Sequence, residues 1–187
     1  MLLLILGLAL WSGVHFIPSI APSYREQKIK QWGEFLYKGI FSLLLVASII
    51  LMVVGWKTIT PTPFYIPLAW GKPITLIFLL MSCILFVAGR TPNNIKRFIR
   101  HPQLTGLCLF SLGHLFSNGD NRSIVLFVML GTWAIAEIIL INKREGAWIK
   151  PQPLPFKTEL LTLIIGIILF AVLLFIHPYL SGIALIN

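Results

Sequence analysis

Apolar residues fall into six long, nearly unbroken runs, at 1–20, 35–56, 70–89, 102–118, 123–141 and 158–179, the last continuing as an apolar tail to 186. A helix needs roughly 20 mostly apolar residues to cross a bilayer, and each run comes close to that length. The runs are continuous rather than alternating, which excludes the strands of a membrane barrel. The pattern predicts an all-α, polytopic membrane helix bundle of about six transmembrane helices. The run at 102–118 is the most polar. No Lys or Arg precedes the first run, so it reads as a retained helix rather than a cleaved signal. The connectors are short and leave no room for a soluble domain, so 1–187 reads as a single transmembrane domain. The halves show no internal similarity, which argues against an inverted-repeat transporter.

Composition sharpens this picture. Hydrophobic residues make up 57% of the chain and charged residues 11%, against about 25% charged in soluble domains. Disordered chains are poor in apolar residues, so disorder is excluded as well. The net charge of +9 would suggest nucleic acid in a soluble protein. Here the cations sit in connectors, so the expected partner is the lipid bilayer and no nucleic acid.

Their distribution alternates. Arg25, Lys28, Lys30 and Lys38 mark the first connector, Arg90, Lys96, Arg97 and Arg100 the third, and Lys143, Arg144, Lys150 and Lys157 the fifth. The second holds Lys57 and Lys72 and the fourth only Arg122. Positive residues stay cytoplasmic, so both termini are expected on the non-cytoplasmic side. Trp56, Tyr65 and Trp70 flank the second connector, as interfacial aromatics do. Three prolines stiffen the second connector, and Pro151, Pro153 and Pro155 predict an extended strut in the fifth.

Ionisable groups inside a bilayer are costly and point to function. The candidates are His15, His114, Glu137 and His177, with His101, Asn118 and Asp120 near helix ends. His101 precedes Pro102, a favoured first-turn residue, and so starts the fourth helix. Thirteen residues separate His101 from His114, which puts them on nearly opposite sides of a regular helix. Ser111, His114 and Asn118 share one face, and Gly106 and Gly113 lie on a neighbouring face where another helix can approach. Glu137 suits a pairing with Arg or Lys, or the orientation of a histidine ligand. Asn118-Gly119 is a turn dipeptide and Asp120 a helix cap, with Ser123 nearby. Cys83 and Cys108 have neither disulfide-framework nor zinc-site spacing. Buried histidines on different helices suit a non-covalent b-type haem, and equally suit interhelical hydrogen bonding.

Arg100-His101-Pro102-Gln103, Gly106, His114-Leu115, Asn118-Gly119-Asp120 and Leu126-Phe127, together with His15 late in the first helix, resemble the signature of the NnrU family of integral membrane proteins. The resemblance covers nearly the whole chain. It implies a bacterial inner-membrane protein linked to nitrogen-oxide respiration (denitrification), where such proteins serve nitrite and nitric oxide reductase activity or expression. The family is also similar to zeta-carotene isomerase, a membrane enzyme with histidine-bound haem b. That relation implies haem b as cofactor, His15 and His114 as iron ligands and His101 as a third histidine of the site. A cysteine implicated in the isomerase corresponds here to Ser111, which departs from the pattern.

The expectation is therefore a haem-b-binding redox protein in which Asn118 and Asp120 shape the turn beside the cofactor and Glu137 supports a ligand. The alternatives are a non-enzymatic scaffold or assembly factor for a reductase, a haem-dependent carotenoid isomerase and, less well supported, a small transporter. At 1.5 Å per residue, His15 lies about 8 Å from the cytoplasmic end of its helix and His114 about 20 Å from that of its own. By depth alone, His15 matches His101 and His114 matches His177.

Overall fold

A computed structural model describes residues 1–181, apart from the Leu180 side chain, so the end of the apolar tail lies outside the described residues. The helices are α1 (Leu2–Ile20), α2 (Pro22–Trp32), α3 (Glu34–Thr58), α4 (Gly71–Arg90), α5 (Pro102–Ser117), α6 (Asn121–Glu145) and α7 (Lys157–Ser181), with a short 3-10 turn at Ile95–Arg97. Among the described residues the only pairing of strand type is an isolated bridge between Pro63 and Asp120. The chain is a multi-pass membrane protein of the all-helical class.

Two features differ from the sequence pattern. Five helices are long and apolar enough to cross a membrane, and α5 is not among them. It has 16 residues and spans roughly 24 Å, against a hydrocarbon core of about 30 Å. It still packs between α4 and α6 in the bundle. The second difference is α2, which falls within the first connector. Its sequence is polar and buries no residue, so a search for apolar runs passes over it. Pro22 starts it, and Gly33, at φ +81°, turns the chain into α3. Lys28 lies 4.9 Å from the Trp32 ring and 5.5 Å from that of Tyr24, a cation-aromatic face of the kind that rests at a membrane interface.

Close approach of small residues sets the packing. A Cβ on Gly7 of α1 would meet the Met52 nitrogen and the Ser48 carbonyl of α3 at 2.8 Å, so these backbones touch only because Gly7 has no side chain. On α5, Gly106 lies under the Ser82 carbonyl of α4, and Gly113 lies against Phe78. Both glycines thus serve the close approach that their spacing predicted. Thr75 adds a hydrogen bond across the same seam, 2.6 Å to the Gly113 carbonyl. Thr91 and the fully buried Thr162 join α4 to α7 at 2.9 Å.

The helices pack in the series α3–α1–α6–α5–α4–α7, and among the described residues no substantial seam joins α3 to α7. The bundle is therefore an open arc. Leu4, Leu8 and Ile59 form a buried cluster with Met52 and Leu126 against it. At one end, the 59–70 connector is tied to the turn between α5 and α6. Phe64 and Tyr65 donate to the Gly119 carbonyl at 2.7 and 3.1 Å, and Asn121 donates to Thr62 at 2.9 Å. At the other end, Asn94 and Leu154 exchange hydrogen bonds of 2.8 and 2.7 Å, which fasten the proline-rich strut.

Candidate functional site

The arc encloses a cavity of about 720 Å³ at the end carrying the 59–70 connector, within the roughly 300–1,000 Å³ of small-molecule sites. Its walls are apolar, built from residues such as Met52, Leu76, Phe110, Leu126, Phe127 and Leu173. Polar groups gather where α3, α4, α6 and α7 reach the rim: Lys57, Lys72, Asp120, Arg122 and His177. His114 and Asn118 line it from α5, and Cys83 from α4.

His114 is held tightly. Its Nδ1 donates to the Phe110 carbonyl four residues back, at 2.9 Å. Its ring stacks on Phe127, with centroids 4.3 Å apart, and lies 4.2 Å from Phe110. In a neutral imidazole one nitrogen carries the proton, so a proton on Nδ1 leaves the Nε2 lone pair available.

His15 has the same bond, Nδ1 to the Trp11 carbonyl at 2.9 Å, but other surroundings. It is enclosed by Trp11 at 4.4 Å, Trp133 at 4.9 Å and Phe41 at 5.8 Å, and it does not line the cavity. Its partner on α6, Trp133, is six residues beyond Phe127, about 9 Å further along the axis. The indole nitrogens of Trp11 and Trp133 are buried without hydrogen-bond partners, as is Oε2 of Glu137.

The other candidates divide between the two ends. Asp120 caps α6, accepting from the Ser123 nitrogen at 3.1 Å and its hydroxyl at 2.5 Å. Asn118 donates to the His114 carbonyl at 2.9 Å, and its own carbonyl accepts from the Tyr65 hydroxyl at 2.9 Å. Burial, and then the Asp120 carboxylate, push the Tyr65 phenol up, so it remains a donor at neutral pH. His101 is at the opposite end, in a shallow groove with Arg100 and Glu145, and its Nε2 pairs with Asn142 Oδ1 at 2.9 Å. Glu137 accepts from Ser19 at 3.0 Å, and Arg144 reaches the Pro18 carbonyl at 3.0 Å. Ser111 is buried with its hydroxyl unpartnered, and its Cβ is where a Cβ on Gly131 would approach within 3.2 Å.

The structure thus brings His114, Asn118, Asp120 and His177 to one cavity and keeps His15 and His101 elsewhere. The motif reading missed Lys57, Lys72, Arg122 and Cys83. The lysines carried a signal, since they are the cations in a connector otherwise light in positive charge.

The family model described as NnrU protein matches residues 3–185, nearly the whole chain, and the chain belongs to the NnrU family. No curated protein and no solved structure matches it.

Proposed function

We propose that this member of the NnrU family is a haem-b-binding protein of the bacterial inner membrane that acts in nitrogen-oxide or related redox metabolism. The observation that carries the reading is the tautomer of two half-buried histidines. Metal-bound histidines donate their second ring N–H to a carbonyl, carboxylate or water, and His15 and His114 both do so through Nδ1. Among the described residues no group of three or more His, Cys, Asp or Glu side chains comes together. A haem iron needs no such group, because the macrocycle supplies the equatorial donors and the protein the axial ones.

The cavity fits such a cofactor: aromatic and aliphatic walls, an imidazole on one wall and cations at the mouth. His114 would hold the iron from the cavity wall. His15 is the second donor that the resemblance implies, and His177, on the same cavity, is its alternative. Phe127 and Phe110 fix the His114 ring, and Asn118 holds the last turn of α5 beneath it. Bound iron would supply one-electron exchange and a position for a small ligand. In this reading the connectors rich in Lys and Arg face the cytoplasm and both termini lie opposite.

Purification in detergent from haem-replete cells tests this. A red protein with a Soret band supports the reading, and a colourless protein overturns it. A carotenoid-isomerase reading draws on the apolar cavity walls, which would suit a polyene chain. Conversion of a cis carotenoid by the reconstituted protein would favour it. An assembly factor for a reductase draws on the closed aromatic box around His15, which serves as bundle glue. Co-purification with a reductase, its activity intact after His114→Ala, would favour that one.

A further inference from the structure

The cavity mouth has an unbalanced charge. Lys57 stands at the end of α3, Lys72 in the first turn of α4 and Arg122 in the first turn of α6, facing the single carboxylate of Asp120. That carboxylate is already engaged: both oxygens accept from Ser123, and one lies 3.6 Å from Arg122 Nε.

Arg122 is fixed in place. Its guanidinium lies 4.4 Å from the Trp56 ring, and Nη1 donates to the Trp56 and Ile59 carbonyls at 3.2 and 3.4 Å. Its Nε is buried without a hydrogen-bond partner. Neither lysine forms an ion pair among the described residues. Lys72 also places a cation at the positive end of the α4 dipole, where an anion is the favoured neighbour. Three cations from three helices thus line the mouth of one largely apolar cavity, with a surplus of two positive charges.

We propose that Lys57, Lys72 and Arg122 form an anion site that anchors the carboxylate or phosphate end of an amphiphile whose apolar body fills the cavity. The two propionates of haem are one source of this chemistry, and here the inference rests on the reading above. An anionic phospholipid is the other source. For haem, Lys57, Lys72 and Arg122 would hold the propionates, and His114 would hold the iron.

The experiment uses the full chain in nonionic detergent. Haem and haem dimethyl ester, which lacks free carboxylates, are titrated into wild type and a Lys57→Gln/Lys72→Gln double variant. Both lysines are exposed, so the variant retains its fold, and thermal melting verifies this. In parallel, native mass spectrometry measures retention of phosphatidylglycerol and phosphatidylcholine. The site predicts that haem binds wild type about tenfold more tightly than its ester does, and that the double variant removes the preference. Failure to bind either haem form, with phosphatidylglycerol retained over phosphatidylcholine by wild type alone, sinks the haem reading and supports the anion site through lipid. Equal binding of acid and ester with equal retention of both lipids, or preferences that survive in the double variant, overturns the proposal.

Discussion

His15 and His114 make the same hydrogen bond and meet different neighbours. Each Nδ1 donates over 2.9 Å to a carbonyl one helical turn back, so helical geometry alone fixes both tautomers. Around His15 the adjoining positions are Trp11, Trp133 and Phe41, which close over the ring. Around His114, Phe110 and Phe127 hold the ring on one wall of the cavity, whose other walls come from α3, α4 and α7. A nitrogen poised for a metal is therefore set locally, whereas room for a ligand is set by the size and spacing of residues on other helices.

The largest effect that distinguishes the two sites is on haem content. His114→Ala loses nearly all the haem of the purified protein, while His15→Ala, whose ring lies outside the cavity, keeps its haem and its absorption spectrum. Equal loss from both variants would erase the contrast. A change from a low-spin to a high-spin spectrum in His15→Ala would bring His15 to the iron in place of His177. Next in size are the rings beneath the histidines. Trp133→Ala removes a buried indole from the His15 box and lowers stability by about 3 kcal/mol, read by thermal unfolding in detergent, with haem affinity retained. Phe127→Leu keeps an apolar side chain but removes the ring stacked on His114, and weakens haem binding several-fold with a smaller loss of stability. Reversal of that pattern would show that the cavity belongs with His15. The smallest effect is expected at Asp120→Ala, which removes the cap of α6 and costs about 1 kcal/mol. A melting curve unchanged from wild type would remove Asp120 from the account of the turn.

The apolar runs located α1, α3, α4, α6 and α7 because burial in lipid leaves its mark on every residue of a span. The α5 run was also visible, though its 16 residues make it shorter than a full crossing. The α2 helix was hidden because it buries nothing and depends on Pro22, Gly33 and an interfacial face. The turn at Asn118-Gly119-Asp120 was legible, since capping is local chemistry. The cavity was not, because five helices distant in sequence supply its walls. His114 and His177 could be matched by depth, but Lys57 and Lys72 read only as topology markers until the fold set them beside Arg122. His15 shows the converse: a residue singled out by its motif lies outside the cavity walls for a reason of side-chain volume that no local pattern records.

The proposal that the His114 cavity holds a haem through its iron can be put to one measurement. Its most direct test is to titrate the haem-free protein with iron protoporphyrin and, separately, with metal-free protoporphyrin. Saturation is expected at one haem per chain, with a sharp Soret shift and at least tenfold weaker binding of the metal-free ring. Binding that never saturates, or that does not distinguish the two porphyrins, would contradict it.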